Sequence, residues 1–288
     1  MIRLHLFQAL AAFLPGVMVS AVVPAQSVDM PVSFADVLSA GAAPHSAQFT
    51  YGPAASQYVR FWRAPPASEP APVVVLVHGG CWLEAYDVAH IAPLASALAA
   101  EGFAVWAPEY RRVGEAGGGW PGSGEDLLAA LRALQAQAPT GADLQQVLLV
   151  GHSAGGQLAL WATAALERAP LNGLRMRGVL GLAAITDLDA YALGSNSCQR
   201  ATGPFLGGLP QEVPAQYAAA SPHRLALPPA TMLLHGDADS IVPLAQMHAI
   251  PQAAARVIAG AGHFDLVHPG TAAFPAIVQA LHTLLEQP

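Results

Sequence analysis

The run Gly151-His152-Ser153-Ala154-Gly155 lies between an apolar segment, Val147-Leu148-Leu149-Val150, and a helix-forming stretch, Gln157-Leu158-Ala159-Leu160-Trp161. It restricts the fold more than any other feature. It spells a strand, a sharp turn and a helix with a serine at the apex. Such a turn needs small neighbours, because only they let strand and helix approach closely enough to project the hydroxyl. In a chain this rich in alanine and glycine the G-x-S-x-G spacing alone carries little weight. Flanked by a strand and a helix, it points to a nucleophilic serine.

A serine hydroxyl is a weak nucleophile unaided. It needs a base, a group that orients the base, and donors for the oxyanion. Upstream, the apolar residues 73–77 read as a buried strand ending in His78-Gly79-Gly80-Cys81-Trp82, a turn whose backbone amides are free to face a substrate oxygen. Downstream, residues 230–234 form another apolar run. It ends in His235-Gly236-Asp237-Ala238-Asp239-Ser240-Ile241-Val242-Pro243. The strand-like residues 256–259 then lead into Gly260-Ala261-Gly262-His263-Phe264. Nucleophile, acid and histidine follow one another in the order of the α/β-hydrolases.

On these motifs the chain resembles the α/β-hydrolase superfamily over roughly residues 50–286. More narrowly, it resembles the esterase branch that includes feruloyl-esterase-like and kynurenine-formamidase-like hydrolases. His78-Gly79-Gly80-x-Trp82, Glu109-Tyr110-Arg111, the elbow at 151–156, the 235–243 turn and Gly262-His263-Phe264-Asp265 carry that likeness. The resemblance implies Asp239 as the acid, three residues before Val242-Pro243. Asp237 stands as the alternative, its simpler role being to bond the local turn backbone. The resemblance also implies an oxyanion hole made by the amides of Gly80, Cys81 and Ala154.

For the base, chain order leaves His248, His263, His268 and His282. A base must reach over Ser153 from a loop. His248 and His282 fall in predicted helices. His263 follows a strand and a glycine-flanked turn, and His268 in the same loop is its rival. His78, His152 and His235 are expected to pair with backbone near strand ends. Trp82 is expected to line the acyl or alcohol pocket, with packing beneath the turn as the other reading.

Composition narrows the function classes. The chain has 288 residues, 11% charged and 53% hydrophobic, which suits one large α/β domain. It contains no lysine, which excludes a Schiff-base lysine, a P-loop lysine and a Ser–Lys dyad. A net charge of −7 argues against a nucleic-acid partner. The glycine-rich residues 114–124 read as a surface loop, with Trp120 folding onto the rim of the active site.

The sequence predicts strands at 48–51, 58–63, 73–77, 103–107, 146–150, 178–184, 230–235 and 255–259. It predicts helices at 88–100, 124–137, 155–168, 244–251 and 271–286. That alternation implies an α/β fold with a mostly parallel sheet of about eight strands covered on both faces. A small cap segment is expected at 187–221.

Residues 1–25 differ in kind. A basic start, an apolar run broken by Pro15-Gly16, and Val23-Pro24-Ala25 read as a signal peptide, an uncleaved anchor being the alternative. The mature domain, 26–288, is then exported, to the periplasm or beyond, with no stable membrane association. In an oxidising compartment Cys81 and Cys198 either bridge cap to oxyanion turn or remain two separate thiols.

These readings predict a secreted serine hydrolase that cleaves small-molecule carboxylic esters through Ser153, Asp239 and His263. It needs no metal and no organic cofactor. An arylformamidase or amidase with the same triad is the rival among enzymes. A non-catalytic binding protein on a hydrolase scaffold is the rival outside them.

Overall fold

The computed structural model describes Met1 and residues 30–287. Apart from Met1, the expected export segment 1–25 lies outside the described residues. In chain order the elements are α1 (Phe34–Ser39), β1 (Ala47–Thr50), β2 (Tyr58–Trp62), β3 (Ala71–Val77), α2 (Ala92–Ala100), β4 (Ala104–Pro108), α3 (Gly122–Gln137), β5 (Ala142–His152), α4 (Ala154–Arg168) and β6 (Met176–Leu182). They continue with α5 (Leu188–Ala192), α6 (Ser197–Leu206), α7 (Pro214–Ala220), β7 (Thr231–Gly236), α8 (Ala245–His248), β8 (Ala254–Ile258) and α9 (Ala273–Glu286).

The strands form one eight-stranded sheet in the order β1-β2-β4-β3-β5-β6-β7-β8. β1 and β2 are antiparallel to their neighbours. From β4 across to β8 every pairing is parallel. The alternation of side chains along a strand divides the core in two. Val73, Val75 and Val77 of β3 pack with Leu127, Leu131 and Leu158 of α3 and α4. Val74 and Leu76 face the other way, onto Leu94 and Leu98 of α2 and Ile277 and Leu281 of α9. Each such side chain, fully removed from water, contributes about 1.5–3 kcal/mol. With both faces covered, only the carboxyl ends of the strands remain open for a site.

All eight expected strands form, with ends shifted by at most four residues. Three helices depart from expectation. Residues 88–100 split into a 3₁₀ turn, Val88–Ile91, and α2, with Pro93 inside the first turn of the new helix. Residues 244–251 form a helix only over Ala245–His248, and Pro251 follows closely. α1 was not expected; its capping box, Ser33 with Asp36, is the local signal for it. The cap segment folds as α5, α6 and α7. No helix among the described residues is long and apolar enough to cross a membrane.

Candidate active site

Ser153 joins β5 to α4 with φ 56° and ψ −119°, a conformation that costs of order 1–3 kcal/mol in a non-glycine residue. The neighbours explain the spacing of the motif. A Cβ at Gly151 would overlap the carbonyl of Gly155, and one at Gly155 would overlap those of Val77 and His78. The elbow is pinned from the next strand, because the Ser153 N–H donates to Leu182 O at 2.8 Å.

His263 Nδ1 donates to Asp239 Oδ2 at 2.7 Å, and both side chains are almost wholly buried. The other carboxylate oxygen, Oδ1, accepts the N–H groups of Ile241 at 2.8 Å and Val242 at 2.9 Å. His235 Nε2 lies 3.5 Å from Oδ2 and donates to Val242 O at 2.9 Å. Burial opposes the charge on Asp239, but the hydrogen bonds from His235, His263 and the Val242 amide outweigh it. They hold the carboxyl well below the usual carboxylate range.

The alternatives fall elsewhere. Asp237 is exposed and accepts the Gly260 N–H at 2.6 Å, which ties two turns together. His268 Nδ1 accepts the Gly270 N–H at 3.1 Å, and the ring lines a different depression from Ser153.

His152 and His263 pack ring on ring, with centroids 4.5 Å apart. The His152 Nε2–H donates to the His263 carbonyl at 3.0 Å, so the residue before the serine holds the backbone of the base. Burial keeps the His152 imidazole neutral far below its ordinary range. His90, also sealed in and close to His78, is pushed down to about 3 for the same first reason. As expected, His78, His152 and His235 all pair with backbone carbonyls.

The 78–82 turn carries an unusual backbone. Gly80 (φ 97°), Cys81 (φ 55°) and Trp82 (φ 58°) are all left-handed. Glycine is required at 80, where a Cβ would overlap Tyr86. Among the described residues, the amides of Gly80, Cys81 and Ala154 donate to no protein acceptor. Behind the turn, His78 Nε2 meets Glu109 Oε1 at 2.8 Å and the Tyr110 hydroxyl donates to His78 O at 2.9 Å. Burial resists ionisation of Glu109, yet His78 and Arg112 keep its carboxyl lowered. Arg111 forks onto Asp126 at 2.8 and 2.7 Å. Glu109 and Tyr110 thus brace the turn from behind, while Arg111 ties the same segment to α3.

Cys81 and Cys198 are bridged, with Cα atoms 5.0 Å apart and a sequence separation of 117. This resolves the open choice in favour of a link from α6 to the oxyanion turn.

Ser153 and His263 line one pocket of about 290 Å³. Phe34, Tyr86, Ile241, Phe264 and the disulfide make its walls, and among the described residues no aspartate, glutamate or arginine faces it. Two aromatic expectations are corrected here. Trp82 does not line the pocket. It is fully buried beneath the turn, stacked on Phe205 at 4.4 Å with its indole N–H donating to Gln157 Oε1 at 3.0 Å. A tryptophan in a left-handed turn carries its ring under the chain, where a flat partner and an acceptor await it. Trp120 does not reach the rim either. It packs edge-on to Trp161 at 5.0 Å and near Phe205 at 6.3 Å, and α3 already begins at Gly122. Phe34, Tyr86, Ile241 and Phe264 were not singled out from sequence. Only Phe264 carried a signal, its place beside His263.

Among the described residues, Asp187, Asp189 and His223 bring ligand-type atoms within 4.8 Å of one another. Each is already engaged. Asp187 caps α5 through the Ala190 N–H at 3.0 Å, His223 bonds Thr186 O at 3.1 Å, and Asp189 pairs with Arg224 at 2.8 Å.

The chain matches the model of the BD-FAE family over residues 62–253. No curated protein matches it in sequence. Solved structures share the fold. A truncated form of a carbohydrate esterase from gut microbiota superposes with a TM-score of 0.71 at 20% identity, covering 86% of this chain and 100% of that one. Esterase B from Lactobacillus rhamnosis (HN001) gives 0.70 at 21%, covering 87% and 90%. A bacterial heroin esterase gives 0.65 at 22%, covering 83% of each.

Proposed function

This chain belongs to the BD-FAE family of α/β-hydrolase esterases, and from that membership and the geometry of the site we propose that it is an exported serine hydrolase. It cleaves small neutral carboxylic esters through an acyl-enzyme on Ser153. The observation that carries the reading is the buried Asp239–His263 pair, at 2.7 Å, beside the pocket that the strained Ser153 lines.

With its Nδ1 proton directed at Asp239, a neutral His263 presents a bare Nε2 to act as base. Ser153 Oγ attacks the ester carbonyl carbon and its proton passes to His263 Nε2. The developing oxyanion lies against the amides of Gly80, Cys81 and Ala154, which nothing else occupies; each such donor is worth about 3–4 kcal/mol in the transition state. Collapse breaks the C–O bond, and the proton on His263 goes to the departing alcohol. Water then attacks the acyl carbon and gives a proton to the same nitrogen; collapse breaks the bond to Ser153 Oγ, which takes that proton back, and the acid leaves. Asp239 stays ionised throughout and steadies the imidazolium at each passage.

No step runs through a metal, so EDTA leaves turnover unchanged. Export follows from residues 1–25, and a secreting host should remove about that many. A serine-directed fluorophosphonate labels the wild type and not Ser153→Ala. Labelling that persists in the variant would move the nucleophile elsewhere.

A further inference from the structure

Residues 30–39 lie outside the span 62–253 that matches the family. They are nevertheless anchored to the base loop. Asp265 Oδ2 accepts two amides, from Val32 and from Gly262, each at 3.0 Å. One oxygen two residues past His263 therefore gathers the N-terminal arm and the loop together. The approach is close enough to require glycine at 262, where a Cβ would stand 2.5 Å from the Pro31 Cβ. Farther along, the Ser33–Asp36 capping box starts α1, and Val37 is buried in the core beneath it.

These anchors set Phe34, the first residue of α1, against the pocket that holds Ser153 and His263. Its ring meets Tyr86 edge-on at 5.4 Å and Phe264 at 5.6 Å, and lies 5.8 Å from the His90 ring. Phe34 meets both Tyr86 and Phe264, and the three side chains line one side of the site. A ring with two rotatable bonds, on a helix tied at three points, makes a firm wall at little entropic cost. A substrate chain that reaches it meets carbon and no charge.

We propose that Phe34 is the specificity-determining residue of this site. It is the end wall that limits how long an ester chain the pocket accepts, and the preferred substrates are esters whose pocket-bound part is short and uncharged. The inference rests on the esterase reading above, and adds that a segment outside the matched family span completes the site. Its physical basis is that each methylene accommodated or refused in an apolar pocket changes selectivity by about tenfold or more.

The test compares kcat/KM for p-nitrophenyl acetate, butyrate and octanoate in the wild type, Phe34→Ala and Phe34→Trp. The wild type falls off beyond butyrate. Phe34→Ala raises the octanoate-to-acetate ratio about tenfold or more, mainly through KM. Phe34→Trp lowers the butyrate-to-acetate ratio. Circular dichroism melting checks that each variant is folded, and Phe34→Leu replaces the alanine variant if that one is not. An unchanged chain-length profile in folded variants overturns the proposal.

A second arm does not depend on turnover. In a Ser153→Ala background, equilibrium dialysis of p-nitrophenyl octanoate should show binding about tenfold tighter once Phe34→Ala is added. If the wild type hydrolyses no ester, the esterase reading fails, and this arm still decides whether Phe34 is the wall. Equal affinity in both backgrounds rejects it.

Discussion

Ser153, Asp239 and the 78–82 turn stand at the carboxyl ends of β5, β7 and β3, within the parallel part of the sheet. Phe34, Tyr86, Ile241 and Cys198 reach the same pocket from the N-terminal helix, two loops and the cap. The two groups are also held differently. The reacting groups are fixed by main-chain hydrogen bonds. Asp239 is gripped by two amides, Ser153 by the Leu182 carbonyl, and His263 through His152 at its own carbonyl. The walls are fixed chiefly by side-chain packing and one covalent bridge, with the Asp265 carboxylate tying the Phe34 segment at Val32. Changes in the first group should therefore act on the rate of the chemical step. Changes in the second should act on which substrate fits and how tightly.

The sharpest separation comes from the nucleophile. Ser153→Ala is expected to lower kcat by about 10⁶-fold, as removal of a triad serine does in a hydrolase of unrelated fold. Its melting temperature should change little, since alanine suits the same tight turn. Initial rates on p-nitrophenyl butyrate measure the loss, and a variant within tenfold of wild type would end the distinction between chemistry and wall.

Two aspartates on one turn give the next contrast. Asp239→Asn should cost about 10⁴ in kcat with KM nearly unchanged, because an amide leaves His263 in the wrong tautomer. Asp237→Asn should stay within about tenfold of the wild-type rate and weaken the fold instead, by the charge-assisted bond to Gly260. Steady-state kinetics beside urea unfolding tells them apart; matching kinetic losses would mean that Asp239 has no special part.

The bridge belongs to the wall, though it starts in the oxyanion turn. Replacing both Cys81 and Cys198 by serine opens a loop of more than a hundred residues, and should cost about 2–5 kcal/mol of stability. If the bridge positions walls rather than amides, KM rises more than kcat falls. A fall confined to kcat would place the disulfide with the chemistry.

The smallest effect is on stability against pH. His90 and His152 are neutral in the fold well below the range where an unfolded chain protonates its histidines, near 6.5. Below that point the unfolded state binds more protons than the folded one, so stability falls as the pH drops. The slope approaches about 1.4 kcal/mol per pH unit for each ring, and fades for His90 as the pH nears about 3. Asp239 has the same sign in a lower window: its lowered carboxyl contributes fully above the unfolded range near 4, and that contribution is lost as the pH falls beneath it. Urea midpoints at pH 7, 6 and 5 should therefore decline in the wild type. They should decline less steeply in His90→Asn, and a parallel decline in both would remove that ring from the account.

Much of the chemistry was legible because each piece is local. A strand, a turn residue and a helix start occupy ten or so consecutive positions, and the glycines at 151 and 155 announce the close approach of β5, α4 and β3. Choosing His263 over His268 needed only the glycine-flanked turn and the order of the motifs. The walls left no such signature. Tyr86 reads as an ordinary loop residue until Phe34 meets it from 52 positions away. Trp82 looked like a pocket residue because its turn is; its partner, Phe205, lies in a cap helix no local pattern connects to it. Cys81 and Cys198 could be paired on paper but not brought within bridging distance. Short-range periodicity fixes elements, whereas a cavity surface is set by where distant elements happen to meet.

The bond between Val32 and Asp265 also bears on timing. A ribosome emits Val32 early and Asp265 only after 232 further residues have been made. A nascent chain that has just delivered β7 already owns its serine and its acid. It lacks the histidine, and the early helix lacks the carboxylate that anchors Val32 to the base loop. The loop between β8 and α9 supplies both at once, so under the proposed mechanism a half-made chain is catalytically silent until translation is nearly complete.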